Sequence, residues 1–191
     1  MWGGGRNEAA ARRGPEDHSA LGGALRPSFS RRPGDGYFFR AEFQAHFASL
    51  LDERRQDPDF QGNPYARYGG RSLHAQSHGE AFLAVLMNRV ESGVIIMDAP
   101  ESALSPQRQL ALLARMSDLV AGGRTQFIVA THSPVLLTFP EADIVSLDEV
   151  PVRSVKLEDT SHYQITRGIL EAPERYWRQL RNDTRAEPDQ I

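Results

Sequence analysis

Apolar residues fall along the chain in two kinds of block. Val94-Ile95-Ile96-Met97-Asp98 and Gln126-Phe127-Ile128-Val129-Ala130-Thr131-His132 are continuous runs of strand length. Such runs suit parallel strands covered on both faces. Asp143-Ile144-Val145-Ser146-Leu147 reads as a third strand, and Tyr37-Phe38-Phe39-Arg40-Ala41 as a shorter strand or strand end. The other blocks recur at helical spacing: Phe43, Phe47, Leu50 and Leu51; Phe82, Leu83, Leu86, Met87 and Val90; Leu110, Leu113, Leu119 and Val120. Near the end, Tyr176, Trp177 and Leu180 line one side of a last helix, with core packing expected for them. Turn residues punctuate these elements. Asp57-Pro58-Asp59 and Gly62-Asn63-Pro64 break the first helix and open a polar loop over 61–76, Gly93 closes the second helix, and Pro106 starts the third, which Gly122-Gly123 stops. Ser77 and Glu80 have capping-box spacing at the start of the second helix, and Pro173 sits in the first turn of the last. Strand, helix, strand, short helix, strand predicts an α/β fold with a parallel sheet flanked by helices.

Composition adds boundaries. Residues 1–35 are rich in Gly, Arg, Ala, Pro and Ser without an apolar period, and are expected to be a disordered N-terminal segment. The core domain is expected over 36–183 and a frayed tail over 184–191. The net charge of -3 gives no basic field to advertise nucleic acid or an anionic membrane, and leaves nucleic-acid binding unassigned. The chain has no cysteine, so disulfides, thiolate metal sites and cysteine nucleophiles are excluded. There is neither an apolar run near membrane-spanning length nor a secretory signal at the start, which fits a cytoplasmic protein. Of the 22 basic residues, Lys156 is the only lysine.

Three features could carry chemistry. Ser77-His78-Gly79-Glu80 opens a helix, whose free N–H groups and partial positive charge suit a phosphate, and Gly79 permits close backbone approach. Asp98 closes an apolar strand, where a carboxylate can order Mg²⁺, and Pro100, Glu101 and the turn Ser102-Ala103-Leu104-Ser105-Pro106 follow. Ala130-Thr131-His132-Ser133-Pro134 puts an imidazole at another strand end, where it could reach a phosphate or an attacking water. Each alone also has an ordinary structural reading, as a capped helix, a turn aspartate or a satisfied histidine. His74 and His78, four apart, lack an acidic ligand cluster and are not read as a metal site.

In this order, the three features resemble the ABC/SMC-like AAA family of stand-alone bacterial ABC-type ATPase cores. Tyr68–Glu80, Met97–Pro106 and Ala130–Pro134 carry the likeness. The resemblance implies a P-loop NTPase (ABC-type) fold and the cofactors ATP and Mg²⁺. It also implies that Ser77, Gly79 and Glu80 contact the γ-phosphate held by a second subunit. Asp98 would serve Mg²⁺, Ala103, Leu104 and Ser105 would form a D-loop across the dimer seam, and His132 would be the switch histidine. The implied partner is a second copy, or an intact ABC-type ATPase in a heterodimer.

The sequence departs from the family pattern in two places. No G-x-x-x-x-G-K-[ST] occurs, and the single lysine follows every other motif, so the fold is expected to be partial, truncated at the N-terminus and without the Walker A motif. The position after Asp98, where the family has a glutamate, holds Ala99, whose methyl group can neither take a proton nor orient water. The expectation is a degenerate ATPase, impaired in hydrolysis, or a non-catalytic partner subunit that completes the nucleotide site of an intact homologue. Without a Walker A strand, the sheet is also expected to keep an unpaired edge.

Overall fold

The computed structural model describes residues 24, 26, 28–30, 32–40, 43–148 and 150–183. Most of the segment expected to be disordered (1–35) and all of the tail (184–191) lie outside the described residues. The chain divides into two compact units, Met1–Thr131 and His132–Ile191.

The first unit contains β1 (Gly36–Arg40), α1 (Phe43–Gln56), α2 (His78–Arg89), β2 (Gly93–Asp98), α3 (Pro106–Ala121) and β3 (Thr125–Ala130), with short 3-10 turns between them. The strands form one sheet in the order β1-β2-β3. All are parallel, so the α/β class with a helix-flanked parallel sheet is borne out. Phe39 pairs in register with Met97, and Arg40 with Asp98. On one face Phe39, Ile95 and Met97 are fully buried, together with Phe82 and Leu86 of α2 and Leu112 of α3. The Phe39 and Phe82 rings lie 5.6 Å apart at a tilt, an arrangement aromatic pairs favour.

The opposite face is less covered than the continuous apolar runs imply. Ile96 is 41% exposed and Ile128 is 52% exposed, and the two are register partners. The burial of β2 therefore alternates, as in a half-covered sheet. Among the described residues no strand pairs with the outer edge of β3, as expected of a partial sheet. Two helical faces also differ from the sequence reading. On α3 the buried residues are Gln109, Leu112, Met116 and Leu119, whereas Leu110 and Val120 are exposed. On α2, Val85 is buried and Met87 exposed.

In the second unit the predicted third strand shrinks to β4 (Val145–Ser146), which pairs antiparallel with β5 (Arg153–Ser154) in a separate two-stranded sheet. Two helices follow, α4 (Ser161–Glu171) and α5 (Pro173–Asp183). Gly168 brings them together, because a side chain there would overlap the Tyr176 ring. Trp177 and Leu180 of α5 are half exposed rather than core residues, and Ile165 and Leu170 of α4 are exposed as well. Among the described residues no helix is long and apolar enough to cross a membrane.

Candidate functional site

The tip of α2 is built by its first four residues. The Ser77 hydroxyl accepts from the Glu80 N–H at 3.3 Å, and the Ser77 N–H donates back to Glu80 Oε2 at 2.8 Å. The Ser77 hydroxyl also reaches Glu80 Oε2, at 2.9 Å. This is the capping box expected from the spacing. The other Glu80 oxygen, Oε1, pairs with Arg108 Nη2 at 3.0 Å, and Arg108 belongs to the first turn of α3. The Ser77 backbone N–H first, then its hydroxyl and the Arg108 guanidinium, hold the Glu80 carboxyl below the usual glutamate range.

Gly79 closes the tip onto the next segment. A Cβ built there would stand 2.7 Å from the Ala103 carbonyl oxygen and 2.9 Å from Arg108 Cδ. That contact brings the α2 tip against the 3-10 turn Pro100–Ala103. The turn is itself fastened: the Ser102 hydroxyl donates to the Ala99 carbonyl at 2.7 Å, and buried Gln109 donates to the Leu104 carbonyl at 3.1 Å. Leu104 is buried, so its side chain belongs to the core, while Ser105 is exposed and caps α3 by accepting from the Arg108 N–H at 3.4 Å. Arg108 thus ties together Ser105 and Glu80, which are 25 residues apart in the chain. The structure brings together Ser77, Gly79, Glu80 and Ser105.

Asp98 ends β2 beside Arg40, its register partner at the end of β1, and their side chains form an ion pair at 3.1 Å. The strand hydrogen bonding runs one residue further, with the Ala99 N–H donating to the Ala130 carbonyl at 2.9 Å. Ala99 then turns into the left-handed region, with φ 45° and ψ 53°. An alanine there costs about 1–2 kcal/mol. Glu101 therefore does not lie on a continuing strand; its carboxylate accepts from the Thr131 hydroxyl at 2.7 Å. His132 opens the second unit, and its Nδ1 lies 2.9 Å from His162 Nε2.

Of these groups, Asp98 is the one that the motif order assigns to Mg²⁺. Mg²⁺ demands near-octahedral oxygen ligation, whereas Asp98 is one carboxylate already facing a guanidinium. Among the described residues no cluster of three metal-ligating side chains exists. An incoming phosphate at the α2 tip also has to compete with Glu80 for the Ser77 N–H and hydroxyl.

Residues 15–138, more than half of the chain, match the family described as "AAA domain, putative AbiEii toxin, Type IV TA system". The chain belongs to this family. The AAA-type resemblance drawn from the motifs is thereby borne out, and the three-stranded parallel sheet agrees with a partial P-loop NTPase fold. None of the curated proteins compared with the chain matches it. The matched region of this AAA domain holds Ser77, Gly79, Glu80, Asp98, Ser105 and His132, while α4 and α5 lie beyond it.

Sequence reasoning missed Arg40, Arg108, Thr131 and His162. Only Arg40 had a legible signal, since aligning the polar ends of two parallel runs pairs it with Asp98. The depressed Glu80 carboxyl gives a pH prediction. A group whose folded pKa lies below its unfolded value adds stability above the unfolded value and loses it as pH falls through the folded one. Glu80→Gln is therefore expected to flatten acid unfolding below the ordinary glutamate pKa, about 4.3, while changing little at neutral pH. Thermal melts between about pH 3 and pH 7, spanning that range, check this; the same acid slope in wild type and variant refutes it.

Proposed function

We propose that this AAA domain is an ABC-type nucleotide-binding core impaired in hydrolysis. It lends its α2 tip and the turn that follows β2 to an ATP whose phosphates are gripped by another subunit. One observation carries the reading: Gly79 lies directly against the Ala103 carbonyl, so the phosphate-facing helix tip and the turn form one preassembled face. In this reading the Ser77 hydroxyl and the backbone at Gly79 bind the terminal phosphate, with Glu80 giving up part of its capping box. Ser105 lies at the seam between subunits, and His132, in the second unit, acts as a switch histidine that donates a hydrogen bond to a nucleotide phosphate. A Mg²⁺ travelling with ATP would take at most one oxygen from this chain, that of Asp98, in competition with Arg40. The impairment follows from Ala99, which leaves no carboxylate to take a proton from water at that position.

The functional assembly is a homodimer or a heterodimer with an intact ABC-type ATPase, in the cytoplasm. Phosphate release and ATP calorimetry, on the chain alone and mixed with an intact relative, form the test. The chain alone is expected to turn over below about 0.1 s⁻¹, against roughly 10 s⁻¹ for a median enzyme. Mixing is expected to tighten ATP binding, and Ser77→Arg in this chain to cancel that gain. Faster turnover by the chain alone, or mixing without effect on ATP binding, would sink the proposal.

A further inference from the structure

His132, the first residue of the second unit, and His162, 30 residues further along, meet within it. Their rings are 5.0 Å apart between centroids and inclined by 37°, with His132 Nδ1 and His162 Nε2 at 2.9 Å. That separation is a full hydrogen bond. Such a bond needs one N–H and one lone pair, so the two facing nitrogens cannot both carry protons.

Both rings stand on fixed backbone. Ser133, directly after His132, is buried, and its hydroxyl accepts from the N–H groups of Val135 at 3.2 Å and Leu136 at 3.3 Å. His162 lies in the first turn of α4, which is capped by Thr160. The nearly buried Thr160 hydroxyl accepts from the Tyr163 N–H at 3.3 Å and donates to the Leu157 carbonyl at 2.7 Å. Gln164 adds a hydrogen bond to the Glu158 carbonyl at 2.9 Å. Neither ring is carried by a loose segment, so the pairing is set by the fold of the second unit.

From this geometry we infer that His162 is a positioning residue for His132: its Nε2–H donates to His132 Nδ1 and holds the proton of His132 on Nε2. The direction of the bond rests on the proposed function. A histidine that is to meet an anionic phosphate must offer N–H, and a neutral His132 can offer it at Nε2 only if Nδ1 is the acceptor. The reverse bond would leave Nε2 as a lone pair that repels phosphate oxygen. Orienting an imidazole through its second nitrogen is a general device wherever one ring nitrogen has work to do. His162 lies outside the region that matches the family, so the device comes from the part of this chain that the family match does not cover.

The test is long-range ¹H–¹⁵N correlation of the imidazoles in the ¹⁵N-labelled full chain, at a pH of about 8.5, above the ordinary histidine range. Wild type is expected to show His132 with a protonated Nε2 and an unprotonated Nδ1. His162→Ala is expected to shift the His132 nitrogen signals toward tautomer averaging. His162→Gln, whose amide N–H₂ can reach the same position, is expected to restore them. Backbone amide spectra of the variants establish that the second unit remains folded. A His132 protonated on Nδ1 in wild type, or a pattern unchanged in His162→Ala, overturns the inference. The nucleotide reading fails separately: if His132→Ala leaves ATP binding by the mixed assembly unchanged, His132 has no part at the phosphate, even where its tautomer follows His162.

Discussion

Phe82→Ala is expected to destabilise the first unit by about 3–5 kcal/mol, the usual range for removing a buried aromatic ring. Phe82 is 1% exposed, and its ring meets that of Phe39 on β1. A domain's whole stability is only about 5–15 kcal/mol, so the melting temperature should fall by well over 10 °C, or cooperative melting should vanish. Met87 is the control. It lies on the same helix but is 52% exposed, and Met87→Ala should stay within about 0.5 kcal/mol of wild type. The contrast matters because helical spacing alone assigns both residues to one apolar face. Calorimetry on both variants decides it, and comparable losses would mean that α2 is rotated from its described position. The functional consequence is direct, since α2 carries Ser77, Gly79 and Glu80 on its first turn.

The contrast also marks what a single sequence can convey. Local signals were legible: the Ser77–Glu80 capping box, the Pro106 start of α3 and the strand closed by Asp98 all stand where their residues indicate. These depend on neighbours within four residues or on strand-length apolar runs. Long-range facts were not legible. A helix with apolar residues around much of its circumference does not declare which side is buried, and on α3 the sheet selects Leu112 and Met116 over Leu110. A continuous apolar run predicts two covered faces, yet Ile96 and Ile128 remain exposed because nothing among the described residues packs fully over them. The run at 143–147 has strand composition, but its ladder is confined to Val145 and Ser146, and their partner strand is antiparallel. The α4 helix went unread because its apolar positions, such as Ile165 and Leu170, are sparse and solvent-facing.

The candidate site divides in the same way. Residue types at motif spacing named Ser77, Gly79, Glu80, Asp98, Ser105 and His132. What those side chains touch came from Arg108, Arg40 and His162, each contributed by a distant element. Ala99 shows why this matters for chemistry. Its identity was readable, but its left-handed backbone was not, and that backbone takes Glu101 off the strand and toward Thr131. A carboxylate three residues past Asp98 therefore does not stand where one directly after it would.

The same logic gives Gly79→Ala opposite outcomes from local and tertiary physics. Gly79 occupies the second position of α2, and alanine in a helix is favoured over glycine by about 0.5–1 kcal/mol. Propensity alone therefore predicts a more stable protein. Packing predicts the reverse, because the new methyl group would stand 2.7 Å from the Ala103 carbonyl oxygen. That atom is backbone, in a turn fastened by Ser102 and Gln109, and it cannot swing aside as Arg108 Cδ can. Overpacking of this kind costs about 1–3 kcal/mol, which exceeds the gain in propensity, so the net effect is a loss. Gly34→Ala is the reference, since a Cβ there meets nothing within 4 Å. Denaturant unfolding of the two variants measures the difference. A loss confined to Gly79→Ala, together with weakened ATP binding in the mixed assembly, is the expected result, because the α2 tip and the turn could then no longer present one face. A rise in stability at Gly79 would mean that the tip and the turn are not in contact, and the shared face would go with it.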